Sequence, residues 1–116
     1  ASGIEVDFQV KGSTRPLAPQ IEFTLYRLAQ EGLTNVRKHA QATRVDLLLE
    51  YQPETIRMTL HDNGLGAADT GGGYGLLGVR ERLELLQGRL EIHTAPGSGF
   101  SLQAVLPASS APVGEE

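Results

Sequence analysis

The chain has 116 residues, enough for one domain with a buried core and too few for two. Its 40% hydrophobic and 21% charged content is ordinary for a globular fold, and the net charge of −4 disfavours binding to a nucleic acid backbone. The absence of cysteine excludes disulfides, thiolate metal sites and cysteine nucleophiles, and no apolar run is long enough to span a membrane.

The first half of the chain predicts a strand, a long helix and a hairpin. Apolar and polar residues alternate over 4–11, which indicates a strand with one face in water. From Pro19, a residue suited to a first helical turn, apolar residues recur at helical spacing as far as Ala40. Two alternating runs, 45–49 and 56–60, flank a turn and predict an antiparallel hairpin.

The second half predicts a shorter helix and another hairpin. Apolar residues at helical spacing indicate a helix over 76–86, with Gly88 as its expected C-terminal cap. Alternation over 90–92 and 100–106 indicates the second hairpin. Strands that arrive in hairpins, with helices between the pairs, predict an α+β fold: a two-layer α/β sandwich whose mixed, mainly antiparallel sheet carries both helices on one face.

A polar stripe follows one side of the long helix. At about 100° per residue, Glu31, Asn35, Lys38 and His39 lie on that side, beside the apolar arc. They are either ordinary surface residues or a site, and their chemistry favours a site for a nucleoside triphosphate. A carboxylate can orient or deprotonate a nucleophile, an amide oxygen can bind magnesium, and an ammonium can neutralise phosphate. Gly32, within the apolar arc, indicates close approach of helix and sheet.

Asp62 follows the apolar side of its strand, so its carboxylate is expected to point inward. A buried carboxylate needs hydrogen-bond donors. These are either the N–H groups of its own Asp-Asn-Gly turn or a ligand's amino group, for which the exocyclic amine of adenine is the best candidate. Gly64 and Gly66 would let the backbone pass close to a flat base.

Glycine is concentrated after this turn, with seven of the chain's 14 glycines between Gly64 and Gly78. Residues 67–73 have no apolar periodicity and are expected to form a mobile lid. Gly73 and Gly75 lead into the second helix, whose N-terminus would favour phosphate. A plain flexible loop, or glycines needed for helix packing, are the alternatives.

The same stretch, GYGLLG, also fits the dinucleotide-binding pattern G-x-G-x-x-G, with Glu91 as a possible ribose-binding acid. That pattern requires a strand running directly into the first glycine, inside a parallel βαβ unit. Here about ten residues separate the strand from the glycines and the strand's partner is antiparallel, so the context argues against it.

Four motifs occur in order: LAQEGLTNVRKHA, DNGLG, GYGLLGVRER and PGSGF. Together they resemble the ATP-binding catalytic domain of sensor histidine kinases, in the GHKL (Bergerat-fold) superfamily shared with gyrase, the ninety-kilodalton heat-shock chaperone and MutL. The helix start is most similar to the subfamily that partners NarL-type response regulators. The resemblance covers residues 1–107, and 108–116 are expected to be a disordered tail or linker.

The resemblance implies roles for individual residues. Glu31 is expected to assist phosphoryl transfer, Asn35 to ligate magnesium, and Asp62 to bind adenine. The other implied contacts to the nucleotide are Lys38, His39, Gly64, Gly66, Gly73, Gly75, Leu76 and Gly78.

The family's reaction moves the γ-phosphoryl group of ATP to a histidine on a separate helical dimerisation domain, from which an aspartate of a response regulator takes it. The resemblance therefore implies Mg-ATP binding in the cytoplasm, without contact with nucleic acid or membrane by this domain, although the parent protein can be membrane-anchored. The chain starts without methionine and has no acceptor helix, so we expect an excised domain unable to phosphorylate itself. His61 and His93 are expected to be ordinary strand residues.

One departure and two rival functions stay open. Phe100 directly follows the glycine of the last turn, where many relatives have Thr, so a hydroxyl contact there would depend on Ser98 or Ser101. A serine kinase of the anti-sigma-factor type would share the fold and the first motif. A non-catalytic module would bind nucleotide, or only a partner protein, without turnover; the set of Glu31, Asn35, Lys38 and Asp62 argues against it.

Overall fold

The computed structural model describes residues 4–37, 42–64, 77–94 and 99–108. In chain order the elements are β1 (Glu5–Lys11), α1 (Pro19–Asn35), β2 (Arg44–Tyr51), β3 (Thr55–Asp62), α2 (Leu77–Leu85), β4 (Arg89–Thr94) and β5 (Phe100–Pro107). The strands form one sheet in the order β1-β2-β3-β5-β4; β1 and β2 are parallel and the other pairs are antiparallel. The predicted α+β class, mixed sheet and two hairpins are confirmed.

Both helices lie on one face of the sheet, as predicted. An alanine Cβ at Gly32 of α1 would lie 2.8 Å from Leu60 of β3, so the expected close approach of helix and sheet is confirmed. Leu83 of α2 is fully buried in the same core, into which Leu102 of β5 also points. On β3 the inward residues are buried, whereas His61 is exposed on the opposite face. One apolar core therefore lies between the two layers.

The strand predicted at 4–11 forms as β1, but both of its faces are exposed to solvent. Val6, Phe8 and Val10 lie in register with the inward residues of β2 and yet remain exposed. The expectation of a single wet face was wrong because β1 is an edge strand whose inner side no described element covers.

α2 ends differently from the prediction. Gln87, with φ of 64°, occupies the left-handed position, and its N–H bonds the carbonyl oxygen of Glu84 at 3.0 Å. The N–H of Gly88 bonds the carbonyl oxygen of Leu83 at 2.7 Å, which completes a Schellman motif. Gly88 is needed for another reason: an alanine Cβ there would lie 2.6 Å from the carbonyl oxygen of Val105.

Arg15 holds together the end of the sheet opposite Asp62, at the start of β3. Its guanidinium donates to the carbonyl oxygens of Thr55 (3.3 Å) and Ala108, and lies 5.7 Å from the centre of the Tyr51 ring. Ala108, assigned to the tail by its sequence, is buried in the core, and residues 109–116 lie outside the described part. None of the helices in the described ranges is long and apolar enough to cross a membrane.

Candidate nucleotide site

Asp62 is the last residue of β3 and is fully buried, as strand parity predicts. Its Oδ1 atom accepts hydrogen bonds from the N–H groups of Gly64 (2.7 Å) and Phe100 (3.2 Å). Its Oδ2 atom, also buried, has no hydrogen-bond partner among the described residues. Buried polar atoms are rarely left without a partner, because the desolvation cost is then uncompensated. The main chain therefore satisfies one carboxylate oxygen, and the other has a desolvation cost that no described residue compensates.

Gly99 packs directly against the main chain of Asp62. It adopts φ of 79°, in the left-handed region, and a Cβ there would clash with the carbonyl oxygen of Asp62. This conformation brings the N–H of Phe100 to Oδ1 of Asp62, while the Phe100 side chain is buried in the core. Although Phe100 lacks the hydroxyl group of Thr, its backbone N–H still contacts the carboxylate of Asp62. Sequence reasoning overlooked Gly99, although the PGSG turn was visible.

Asn63 is a second residue that sequence reasoning missed. Its Oδ1 atom accepts from the N–H groups of Thr43 and Arg44, both at 3.0 Å, and its Nδ2 donates to Oγ1 of Thr43 at 3.0 Å. Its own N–H donates to the carbonyl oxygen of Arg44 at 3.1 Å. Four hydrogen bonds thus fasten the end of β3, beside Asp62, to the start of β2. In the sequence this residue is visible only as the Asn of DNGLG, where it has the pattern of an ordinary turn residue.

A cavity of about 210 Å³ lies between α1 and α2. It is lined by Thr24, Arg27, Glu31, Gly78, Val79 and Arg82. The Glu31 side chain, 28% exposed, pairs with Arg27 at 3.4 Å. Arg82 lies 5.2 Å from the centre of the Phe23 ring. Apart from the backbone of α2 itself, no described atom lies within 4 Å of a Cβ built at Gly78, so this glycine is not required for packing and leaves the cavity wall open.

Asn35 lies one turn beyond Glu31 in the last turn of α1 and is 5% exposed. The stripe therefore borders the buried face of the helix, as predicted for these two residues. Between them, Gly32 packs on Leu60, two residues before Asp62, so this part of α1 passes over the end of β3. Glu31 and Gly78 share the cavity, which Asp62 does not line. The other predicted contacts, Lys38, His39, Gly66, Gly73, Gly75 and Leu76, lie outside the described residues.

The donor set fits a magnesium ion that arrives with a nucleotide. No group of three or more His, Cys, Asp or Glu side chains in the described ranges is arranged to bind a metal alone. The Glu31 carboxylate and the Asn35 amide, four residues apart, lie on the same side of α1 and offer oxygen atoms. Magnesium is commonly bound by one or two protein oxygens together with substrate phosphates and water.

Comparison with known proteins identifies the family of the chain. The family described as histidine kinase-, DNA gyrase B-, and HSP90-like ATPase matches residues 20–110. The histidine-protein kinase/phosphatase DegS of Brevibacillus brevis is 38% identical over 109 residues, covering 91% of this chain and 28% of DegS. UhpB of Salmonella typhimurium, another kinase/phosphatase, is 40% identical over 81 residues, covering 68% of this chain and 16% of UhpB. The chain thus spans under a third of either relative.

Solved structures show the same fold. The histidine kinase domain of the blue-light-activated kinase EL346 from Erythrobacter litoralis matches with a TM-score of 0.69 and 23% identity, covering 88% of this chain and 54% of that one. The ATP-binding domain of PrrB from Mycobacterium tuberculosis matches with a TM-score of 0.68 and 22% identity, covering 92% and 82%. The chain belongs to the histidine kinase-, DNA gyrase B-, and HSP90-like ATPase family, as an ATP-binding catalytic domain of the sensor histidine kinase type.

Proposed function

We propose that this domain binds Mg-ATP and delivers the γ-phosphoryl group to a histidine on a separate dimerisation domain, for onward transfer to a response regulator of the NarL type. The observation that carries the proposal is the buried Oδ2 of Asp62, which lacks a partner among the described residues. The GLxGxxER helix start supports the choice of regulator class.

Asp62 would bind the base. The exocyclic amine of adenine donates to Oδ2, which replaces the hydrogen bond that the buried oxygen lacks. Because Oδ1 is fixed by two main-chain N–H groups, the carboxylate cannot turn away to satisfy Oδ2 elsewhere. A carbonyl group in place of that amine, as in guanine, would set two acceptors against each other, so the site should prefer adenine. Gly64 and Gly66 are the proposed backbone contacts beside the base.

Glu31 would act at the transferred group. In the proposed step an imidazole nitrogen attacks the γ-phosphorus, an N–P bond forms, the bond to the β,γ-bridging oxygen breaks, and ADP leaves. Glu31 orients the attacking imidazole and accepts its proton. Magnesium, when bound, neutralises phosphate charge, and Asn35 is its proposed protein ligand. The cavity beside Glu31 also carries the Arg27 guanidinium, which adds positive charge.

The remaining proposed contacts are with the phosphates. Lys38 and His39 follow α1 in the sequence, Gly73, Gly75 and Leu76 precede α2, and Gly78 lies in the first turn of α2. Gly78 supports this assignment because the space beside it is open. Positioning and charge neutralisation supply most of the catalysis in phosphoryl transfer, so a cleft of this kind requires few reactive groups.

Calorimetric titration with ATP and magnesium tests the binding step. The parent chain should bind, and Asp62→Asn should bind about a hundredfold more weakly, because the new amide sets a donor against the adenine amine. His61→Ala, on the opposite face of the sheet, serves as the matched control and should bind like the parent chain. Normal binding by Asp62→Asn would contradict the assignment of the base site.

A second measurement tests the transfer step. The domain is incubated with γ-labelled ATP and a separately purified histidine-containing dimerisation domain. Acid-labile, base-stable label on that domain is the expected result, since phosphohistidine has this stability. Label on a serine of a partner protein would favour the anti-sigma-factor type of kinase. ATP binding without any transfer would favour a non-catalytic nucleotide-binding module.

A further inference from the structure

The edge strand β1 exposes an unusual amount of apolar surface. Val6, Phe8 and Val10 are 48%, 55% and 44% exposed, although they lie on the side of the sheet that faces the core. Three apolar side chains in succession on one side of an edge strand favour association with another chain.

The backbone of the same three residues is also available for pairing. The N–H of Glu5 donates to the carbonyl oxygen of Thr43, so the odd-numbered residues of β1 direct their backbone groups toward β2. Because these directions alternate along a strand, Val6, Phe8 and Val10 direct their N–H and C=O groups to the free edge. No strand within the described ranges pairs with that edge.

We propose that β1 is a self-association strand, through which two copies of this chain pair antiparallel about Phe8 and join their sheets. The sequence EVDFQVK is complementary to itself in this register. Phe8 lies opposite Phe8 of the second copy, and Val6 lies opposite Val10. On the other face, Glu5 lies opposite Lys11 and Asp7 opposite Gln9. Every cross-strand pair is therefore apolar with apolar, acid with base, or acid with amide.

Charge complementarity favours a second copy of this chain as the partner, and antiparallel over parallel pairing. A parallel pairing of two copies would set Glu5 against Glu5 and Lys11 against Lys11, which is unfavourable. The Glu5 side chain lies 3.8 Å from Arg44 but is 73% exposed, so it can also contact Lys11 of a second copy. β1 is separated from β3, which carries Asp62, by the whole of β2. Pairing at this edge is thus compatible with nucleotide binding.

Sedimentation equilibrium over about three orders of magnitude in concentration tests the proposal. The chain should show a reversible monomer–dimer equilibrium that Phe8→Glu abolishes and Phe8→Leu retains. Leu85→Glu, which changes an exposed apolar residue on α2, is the matched control and should leave the equilibrium unchanged. Circular dichroism establishes that each variant is folded, and unchanged ATP affinity in Phe8→Glu separates this inference from the proposed function.

A charge exchange tests the register. Glu5→Lys alone and Lys11→Glu alone each create two like-charged pairs in the dimer and should weaken association about tenfold. The double variant Glu5→Lys, Lys11→Glu reverses both partners and should restore it. A monomer at every concentration, or a dimer indifferent to Phe8→Glu, would overturn the proposal. A double variant as weak as the single ones would overturn the register. If the amide hydrogen of Phe8 is protected from exchange only within a longer parent protein, β1 pairs with another segment of that protein, and the proposal of self-association is overturned.

Discussion

The two ends of the candidate site are built differently. Asp62 is fully buried, two N–H groups hold one of its oxygens, and Gly99 closes tightly against its backbone. Glu31 of α1 lines the cavity between the two helices, is 28% exposed, and pairs with the partly exposed Arg27 at 3.4 Å. Beside it the space at Gly78 is open. The proposed base end is thus fixed inside the sheet, whereas the proposed phosphate end borders an open cavity.

This difference suggests that the two ends have different functions, one in binding the base and the other in phosphoryl transfer. A preformed carboxylate loses little entropy on binding a base, so it can supply affinity and selectivity. An open cavity can admit a metal-bound triphosphate and then an imidazole from another domain, both of which must approach the same atoms. Substitutions at the base end should therefore change binding and stability, and those at the phosphate end should change turnover.

Glu31→Gln should give the largest effect at the phosphate end. Loss of a positioned proton acceptor is expected to lower the rate of histidine labelling about a hundredfold or more. Single-turnover labelling with saturating ATP measures that rate. ATP affinity should change little, and the free energy of unfolding should change by about 0.5 kcal/mol or less, because exposed ion pairs contribute weakly. An unchanged labelling rate would show that Glu31 is only a surface partner of Arg27.

A matched pair of glycine substitutions compares the two ends directly. Gly99→Ala should lower the free energy of unfolding by about 2–3 kcal/mol, since the Cβ clashes with the Asp62 carbonyl and the backbone is left-handed. Gly78→Ala should leave the unfolding free energy unchanged or raise it by up to about 1 kcal/mol, because alanine favours the helix and the space is open. Urea unfolding measures both. Equal destabilisation would mean that the phosphate end is as closely packed as the base end.

The position of Asp62 was easier to predict from sequence than the contacts that hold it in place. The inward direction of Asp62 follows from the strand's period of two, and the close packing at Gly32 follows from its place in the apolar arc of the helix. Which oxygen of Asp62 is satisfied depends on Phe100, 38 residues away, and that contact requires the conformation of Gly99. The hydrogen bonds of Asn63 likewise join positions 20 residues apart. Contacts between distant segments leave no periodic signal in a single sequence.

The strand β1 shows a second limit of sequence patterns. Alternation correctly predicted a strand, yet it could not show that the inner face would remain uncovered. Burial depends on which elements pack on that face, and the position of β1 at the edge of the sheet is a property of the topology. The end of α2 also depends on packing between distant segments. Gly88 lies against the backbone of β5, and the residue before it, Gln87, takes the left-handed conformation.

Asn63 offers a milder way to disturb the base end. Asn63→Leu removes three side-chain hydrogen bonds to Thr43 and Arg44 and should weaken ATP binding about tenfold. The ratio of ATP to GTP affinity should fall with it, because the position of the Asp62 carboxylate would be less well defined. Asn63→Asp keeps both acceptor contacts and should recover most of the loss. A drop in stability with an unchanged ratio of affinities would indicate a structural role alone.

The smallest expected effect tests the charge of the open cavity. Arg27→Gln removes a partly exposed guanidinium that faces the same space as Glu31, and solvent and salt screen its attraction for phosphate. ATP affinity should fall about two- to fivefold at low salt and less at high salt, and Arg27→Lys should restore part of it. Adenosine, which has no phosphate, should bind both variants like the parent chain. An equal loss of adenosine affinity would place Arg27 at the base end and remove the distinction between the two halves of the site.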